Sequence, residues 1–511
     1  MSEWSEGYVT DIGYTHGYYH ELNPVRARWA LLIKGWAPPD VRAACELGFG
    51  QGVSVNIHAA ASTVAWWGTD FNPAQVANAQ RLSHAAGDRA QLFDQSFAEF
   101  CQRDDLPMFD FIGLHGIWSW ISPHNRALIV DFLRRRLRVG GVVYASYNTL
   151  PGWATFAPIR HVLVRHAAVM TAPGAGAADR VGAALAFVER VMGVQPQYAK
   201  AAPTVAGRVQ RLQQQSRAYL AHEYFNQDWE PMHFADIAAQ MTEAKLTWAA
   251  SAHLTDHVEP LNLTDAQRAL LRDIPDPVHR ETVRDLLINQ GFRRDYWIKG
   301  AMPLGPDERR ALLREQRVVL VVPRSAVRFK VTGALGEADM AAGIYAPLVD
   351  ALADHAVWSV EALEAALAPS GVHFEQLVQA ISLLIATGQV QLVADHDAAQ
   401  VRPAVAGLNQ ALAHRAFDGP DGAGWLASAV TGAAVSMGRF EQMFWALARQ
   451  GQADPAQWAA TVCDHLFRHG ERLVKDGKPL TSREDHLREL TERAQRYATL
   501  RAPMVAALDL G

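Results

Sequence analysis

The sequence predicts an α/β fold built on a parallel sheet, and three observations carry that prediction. The stretch 43–52 reads as a buried strand running into a turn with glycines at 48, 50 and 52, followed by a helix. One strand-length later, Trp66-Trp67-Gly68-Thr69-Asp70 reads as a second strand ending in an acid. Short apolar strands then alternate with helical segments, which implies parallel strands joined by right-handed crossovers. Ligands of such sheets sit beyond the carboxyl ends of the strands, where Asp70, Asp94, His115 and Tyr147 all fall.

The glycine turn also bears on the ligand. Glycines let backbone approach a ligand closely, since no Cβ intrudes and positive φ costs nothing. Asp70 lies twenty-four residues beyond Glu46, near the spacing at which a βαβ unit sets an acid against ribose hydroxyls. A dinucleotide would bring its pyrophosphate to the turn and helix N-terminus, where the Glu46 carboxylate would oppose it. S-adenosylmethionine has no phosphate and carries a cationic sulfonium. The Glu46-x-Gly48-x-Gly50-x-Gly52 form therefore resembles the first motif of class I methyltransferases. Expected cofactor contacts are Glu46, Gly48, Phe49, Gly50, Gly52, Asp70, Phe71, Asp94, Gln95 and His115.

The remaining elements follow in order. Asn23 and Pro24 open a helix running from residue 25 to about 35, as N-cap and first helical position. Residues 89–93 are a third strand, 109–114 a fourth and 141–146 a fifth, with a helix over 123–139. From 151 to about 224 the chain turns helical. The α/β pattern returns with a helix at 234–244, a strand at 246–251, a helix at 279–290 and a strand at 292–299. The two strands are expected to complete the sheet, leaving 151–225 as a helical insertion over the active-site face. Strands at 317–323 and 327–332, then a helix over 336–353, begin a new unit. Helices at 359–368 and 374–387 and a strand at 388–393 follow in winged-helix order. The second of these helices has no Lys or Arg, so a packing or protein-docking role is expected rather than DNA binding. The last hundred residues are expected to be helical. Domains are thus expected at 1–150, 151–225, 226–300, 301–400 and 401–511, and a chain ending near Gly300 is expected to keep the cofactor site.

Composition narrows the function. The 511 residues are 49% hydrophobic and 20% charged, with net charge −5, which gives no electrostatic reason to expect nucleic acid. No apolar run is long enough for a membrane span, and no signal peptide is apparent at the N-terminus, so a cytoplasmic location is expected. Three scattered cysteines suit neither a disulfide framework nor a zinc site, and no metal is expected. The tyrosines at 8, 14, 18 and 19 suit either a flap closing over the cofactor or an N-terminal segment that packs its rings on the sheet edge.

Four segments carry a wider resemblance: His115-Gly116-Ile117-Trp118-Ser119-Trp120-Ile121, Ser146-Tyr147-Asn148-Thr149-Leu150-Pro151-Gly152-Trp153, His222-Glu223-Tyr224-Phe225 and Asn289-Gln290-Gly291-Phe292-Arg293. Together they resemble the bacterial methyltransferases that carry a methyltransferase regulatory domain, and 426–437 is similar to the C-terminal part of that family. The resemblance covers nearly the whole chain and extends to the protein-lysine methyltransferases that modify outer-membrane proteins of rickettsiae. The glycine turn departs from that group, which has Cys-Ala-Ser-Gly-Gly where this chain has Phe49-Gly50-Gln51-Gly52. What the resemblance implies is a Rossmann-like class I sheet and methyl transfer from S-adenosylmethionine to protein lysines, the acceptor being a surface or outer-membrane protein before export. Transfer to a small molecule or glycan, and a non-catalytic cofactor-binding regulator, remain alternatives at this stage.

Methyl transfer from a sulfonium is an in-line displacement, so the enzyme chiefly aligns the acceptor and excludes water. An amine acceptor must arrive unprotonated, against a free lysine pKa of about 10.4. His115, Tyr147 and Glu223 are the expected catalytic groups. Tyr14, Trp118, Trp120, Asn148 and Tyr224 are the expected acceptor contacts, with aromatic faces suited to holding a lysine cation.

Overall fold

The computed structural model describes residues 7–8, 16–172, 174–419, 422 and 424–511; Tyr14 lies outside them. Seven strands form the main sheet: β1 (Ala43–Leu47), β2 (Ala65–Asp70), β3 (Ala90–Asp94), β4 (Phe109–Leu114), β5 (Leu137–Asn148), β6 (Leu246–Ser251) and β7 (Phe292–Lys299). Their order is β3-β2-β1-β4-β5-β7-β6, with β7 antiparallel to both neighbours. β1 and β4 are central and covered on both faces, so they are apolar apart from one acid each, Glu46 and Asp110. The class I order expected from the sequence is thus present, and the last two strands do close the sheet.

Boundaries moved where pairing overrode local pattern. The helix Pro123–Arg136 stops short of 139 because Leu137 enters the β4 ladder opposite Phe109. That recruitment starts β5 at Leu137 rather than at 141. The expected helix over 336–353 is corrected at its start: β10 (Gly336–Asp339) pairs with β9 (Lys330–Gly333), and helix begins only at Ala342. Gly336 sits at φ +118°, a conformation that favours glycine and sets the hairpin. The first strand of this unit, β8 (Arg317–Leu320), is shorter than expected and gives way to a 3₁₀ turn at Arg324–Ala326 after Pro323. It lies between β11 (Trp358–Ser359) and β12 (Val390–Leu392) in a small antiparallel sheet. The helix Phe374–Ala386 buries Phe374, Leu377, Val378, Ile381 and Leu384, so its apolar face is committed to the core. The C-terminal region is helical except for hairpins, of which β13 (Trp425–Ser428) and β14 (Ala433–Ser436) form the longer.

The cores do not follow the expected domain boundaries. One face of the sheet, with Trp29, Phe111, Tyr144 and Tyr296, packs into a cluster that includes Val318, Leu363, Leu377 and Leu384. Trp29 also donates its indole N–H to Ser382 at 3.0 Å. Val53, Ile57 and Leu82 of the helices flanking β2 share a second cluster with Leu408, Leu426 and Trp458. The opposite sheet face, with Phe109, Trp118, Tyr147 and Trp297, packs against Phe132, Phe234 and Met241. Among these clusters, only the insertion's, centred on Phe156, Leu163, Val181 and Leu185, draws on a single stretch of chain. A chain ending at Gly300 would therefore bare the sheet side of both the first and the second cluster, which the expected boundary at 300 cuts through.

Candidate active site

A cleft opens beyond the carboxyl ends of β1, β2, β3 and β4. Gly48 and Gly50 line it from the glycine turn, Asp70 and Phe71 from β2, Gln95, Ser96 and Phe97 from the end of β3, and His115, Gly116, Ile117 and Trp120 from the loop after β4. Gly7, Tyr8, Asn226 and Asp228 close it from above. Its space, open mouth included, is about 980 Å³.

Asp70 organises the floor. Its Oδ2 accepts from the Gly50 N–H at 2.8 Å and its Oδ1 from the Asn72 N–H at 3.0 Å. The turn is thus latched to the end of β2. An ionised carboxylate has about four acceptor positions, so further donors from a ligand fit. Burial pushes this carboxyl up to about 6, with Asp94 adding to the rise and the backbone donors opposing it. Glu46 lies beneath the turn, buried, and does not line the cleft. Burial first, and then Asp70, pushes its carboxyl well above the ordinary range. Its Oε2 has no hydrogen-bond partner.

The glycines divide their work. Gly48 has φ +73°, and a Cβ there would lie 2.3 Å from Ile117 Cδ1, a wall of the cleft. Gly52 has the same φ, but its Cβ would strike Ala79 Cβ at 2.3 Å. Its requirement is therefore helix-against-helix packing rather than ligand approach, and it does not line the cleft. Phe49 is likewise turned into the core beside Gly68. Asp94 is exposed and off the cleft wall, and the polar groups that β3 presents are Gln95 and Ser96.

His115 is held on one face and at one edge. Its ring stacks on Tyr19 at 3.6 Å, and its Nδ1 lies 2.8 Å from the Tyr144 hydroxyl. Burial lowers its pKa to about 4, with Glu21 opposing and Arg294 adding to the fall. The ring is neutral near pH 7. Tyr147 does not meet it. Strand alternation puts Val142 and Tyr144 on one face of β5 and Val143, Ala145 and Tyr147 on the other. The Tyr147 hydroxyl instead donates to Asp295 at 2.6 Å. Asp295, Asp285 and Glu281 all surround the buried Arg293.

The other expected acceptor contacts separate in the same way. Trp120 lines the cleft and faces Trp229, whereas Trp118 is buried with its indole N–H on Gln240 at 3.0 Å. Asn148 is buried away from the cleft, its backbone N–H on Ser119 and its side-chain nitrogen without a partner. Tyr224 packs with Trp153 and Phe156 inside the insertion. Glu223 is half-buried at the insertion's last turn, and burial pushes its carboxyl up to about 7. Asp70 and Glu223 both act on the Tyr8 phenol, which burial and these two acids push up.

Tyr8 packs edge-on against Phe71 at 5.6 Å, and Gln227 donates its backbone N–H to Gly7 at 3.1 Å. The flap expected of the tyrosine cluster is therefore divided: Tyr8 reaches the cleft, Tyr19 supports His115, and Tyr18 packs against Trp425. Sequence reading missed Gln75, Ser122, Asn125, Asn226 and Asp228 as cleft residues. Gln75 and Asn125 each follow an N-cap and a proline at a helix start, a placement beside the strand ends that marks them in retrospect.

The sheet order and the cleft above its glycine turn define a class I methyltransferase fold. The chain belongs to the family of proteins that carry the predicted methyltransferase regulatory domain, whose profile matches residues 216–299. The uncharacterized protein sll1526 of Synechocystis sp. is 34% identical over 513 residues, covering 99% of each chain. The uncharacterized protein RP789 of Rickettsia prowazekii is 25% identical over 290 residues, 55% of this chain and 51% of its own. The structure of PKMT2 from Rickettsia typhi in complex with AdoHcy has the same fold, with a TM-score of 0.70 at 14% identity over 98% of this chain and 100% of its own.

Proposed function

We propose that this protein is an S-adenosylmethionine-dependent methyltransferase whose acceptor is a lysine side chain of another protein. The observation that carries the cofactor reading is Asp70, set over Gly48 and Gly50 with acceptor capacity left after its two backbone bonds. The residues fit the cofactor on one further count: a Cβ at Gly48 would collide with Ile117 in the cleft wall, so only glycine leaves room for a ligand there. PKMT2, whose structure holds AdoHcy, supports the same reading.

Asp70 would hold the ribose hydroxyls, and Gln95 and Ser96 the base. S-adenosylmethionine supplies an activated methyl group when bound. The acceptor reading rests on the cleft's upper rim. Tyr8 and Trp120 offer ring faces to a lysine cation, Asp228 offers a carboxylate on the cleft wall, and Glu223 stands behind the wall, close enough to act on the Tyr8 phenol. A carboxyl pushed up to about 7 is matched to accepting a proton near neutral pH. Glu223 therefore takes the ammonium proton, and neutral His115 orients the amine. His115 and Glu223 remain the assigned catalytic groups; Tyr147 becomes a supporting residue through Asp295.

Two measurements test this. Calorimetric titration with S-adenosylhomocysteine should show binding that Asp70→Ala weakens. Labelled methyl transfer into a lysate, resolved by size, should mark protein bands and yield methyl-lysine on hydrolysis. Label confined to small molecules would overturn the acceptor reading, and no label beside intact binding would point to a regulator.

A further inference from the structure

The strap that follows the described start of the chain joins two distant regions. Residues 17–22 pass between the cleft and the C-terminal hairpin. On one side Tyr19 stacks on His115 and donates its backbone N–H to Ser54 at 3.0 Å. On the other, the flanking Tyr18 and His20 rings meet Trp425 at 5.4 and 5.1 Å. Tyr18 also hydrogen-bonds His58 at 3.0 Å, and Asn23 donates to the Gly432 carbonyl at 2.9 Å between the hairpin's strands. The Glu21 carbonyl accepts from the Tyr296 hydroxyl at 2.7 Å.

We infer that Trp425 is a positioning residue for the active site: by clamping Tyr18 and His20 it fixes the strap, and the strap's Tyr19 holds the His115 ring in the cleft. Trp425 lies more than 300 positions from His115 and does not line the cleft. The role assigned to it rests on the methyltransferase reading, but the contacts do not.

The physical basis is the pairing of neighbours on one short segment. Tyr18 and Tyr19 are consecutive, with Tyr18 in the core and Tyr19 against the imidazole. Freeing the Tyr18 ring releases the backbone that sets the Tyr19 ring. The imidazole is faced by Tyr19 and Glu21 of the strap, Tyr144 of β5, and Arg294 and Phe292 of β7. Lifting the strap removes Tyr19, hydrates the ring and loosens the Glu21 carboxylate. Removal of burial, the dominant cause of the depressed pKa, raises it.

The test is the titration of the His115 ring by NMR in full-length protein, its signal assigned by loss in His115→Asn. In the wild-type chain the ring should titrate at about 4; in Trp425→Ala it should move toward the ordinary 6.5. Trp425→Phe should restore the low value, because an aromatic edge again meets Tyr18 and His20. If Trp425→Ala does not fold, Trp425→Leu is read instead, since it keeps bulk without the ring. An unchanged titration in a folded alanine or leucine variant overturns the inference. S-adenosylhomocysteine binding by the wild-type protein is measured separately, so failure of the cofactor reading leaves the ring titration interpretable.

Discussion

Replacing Asp70 should separate ligand binding from fold. The side chain is 6% exposed, and each of its oxygens holds one backbone N–H, at Gly50 and at Asn72. Asp70→Ala strips both donors of their acceptor and removes the ribose contact together. Losing a charge-assisted hydrogen bond to ribose costs about 1.5–3 kcal/mol, or roughly one to two decades in dissociation constant. Leaving the Gly50 and Asn72 N–H groups buried adds a stability cost of about 1–3 kcal/mol each, less where water enters the cleft. Asp70→Asn divides the two effects, because its amide oxygen still accepts from one backbone N–H while the charge is gone. Calorimetry with S-adenosylhomocysteine should therefore show weakened binding in both variants, with the larger fall in melting temperature in the alanine. pH supplies a further check. Burial raises the Asp70 carboxyl from 3.8 to about 6, so the folded apoprotein holds this proton more tightly than the unfolded chain does. Its contribution to stability therefore falls as pH rises through that window. Ligand affinity runs the other way, since ribose hydroxyls bond best to the ionised form, and should improve from pH 5 to 7. A dissociation constant unchanged in both variants, and flat over that pH range, would refute the assignment.

Other outcomes follow from particular contacts. Gly52→Ala should lose about 2–4 kcal/mol in chemical denaturation, from positive φ and from overpacking against Ala79, whereas Gly48→Ala should act mainly on ligand affinity by crowding the cleft. Arg293→Met leaves Glu281, Asp285 and Asp295 without their buried cation and should cost about 3–5 kcal/mol; burial already pushes the Asp285 carboxyl up to about 6 with Arg293 opposing the rise, so losing Arg293 pushes it further and the loss should be smaller at pH 5 than at pH 8 in urea melts. Methyl transfer should increase as pH passes about 7, the Glu223 value, and Glu223→Gln should abolish that limb of the rate profile. A chain ending at Gly300 should lack a cooperative melt by circular dichroism, because residues between 313 and 510 complete two of the sheet's cores.

Much of the architecture is local and was readable for that reason. The limits of β4, β6 and β7 agree with the strands read at 109–114, 246–251 and 292–299, because strands carry their pattern within six to eight contiguous residues. Asn23 and Pro24 start their helix where a cap and a fixed φ must. The ligand end of the sheet follows from strand direction alone, which put Asp70, Gln95 and His115 at the cleft.

Which neighbours those groups meet was a tertiary decision. Alternation gave Tyr144, not Tyr147, to His115, and a one-residue choice of face is invisible until the strand's pairing is fixed. The three glycines look alike in sequence, yet Gly48 and Gly50 line the cleft while Gly52 faces Ala79, a contact set by how two helices cross. Glu46 and Trp118 were chemically plausible and were taken instead by burial. The sequence determined the sheet, the glycine turn and the acid at its side, because each is written in contiguous residues. Only the tertiary structure decided that the C-terminal half completes the sheet's cores and that Trp425 stands behind His115, because those contacts join segments hundreds of residues apart.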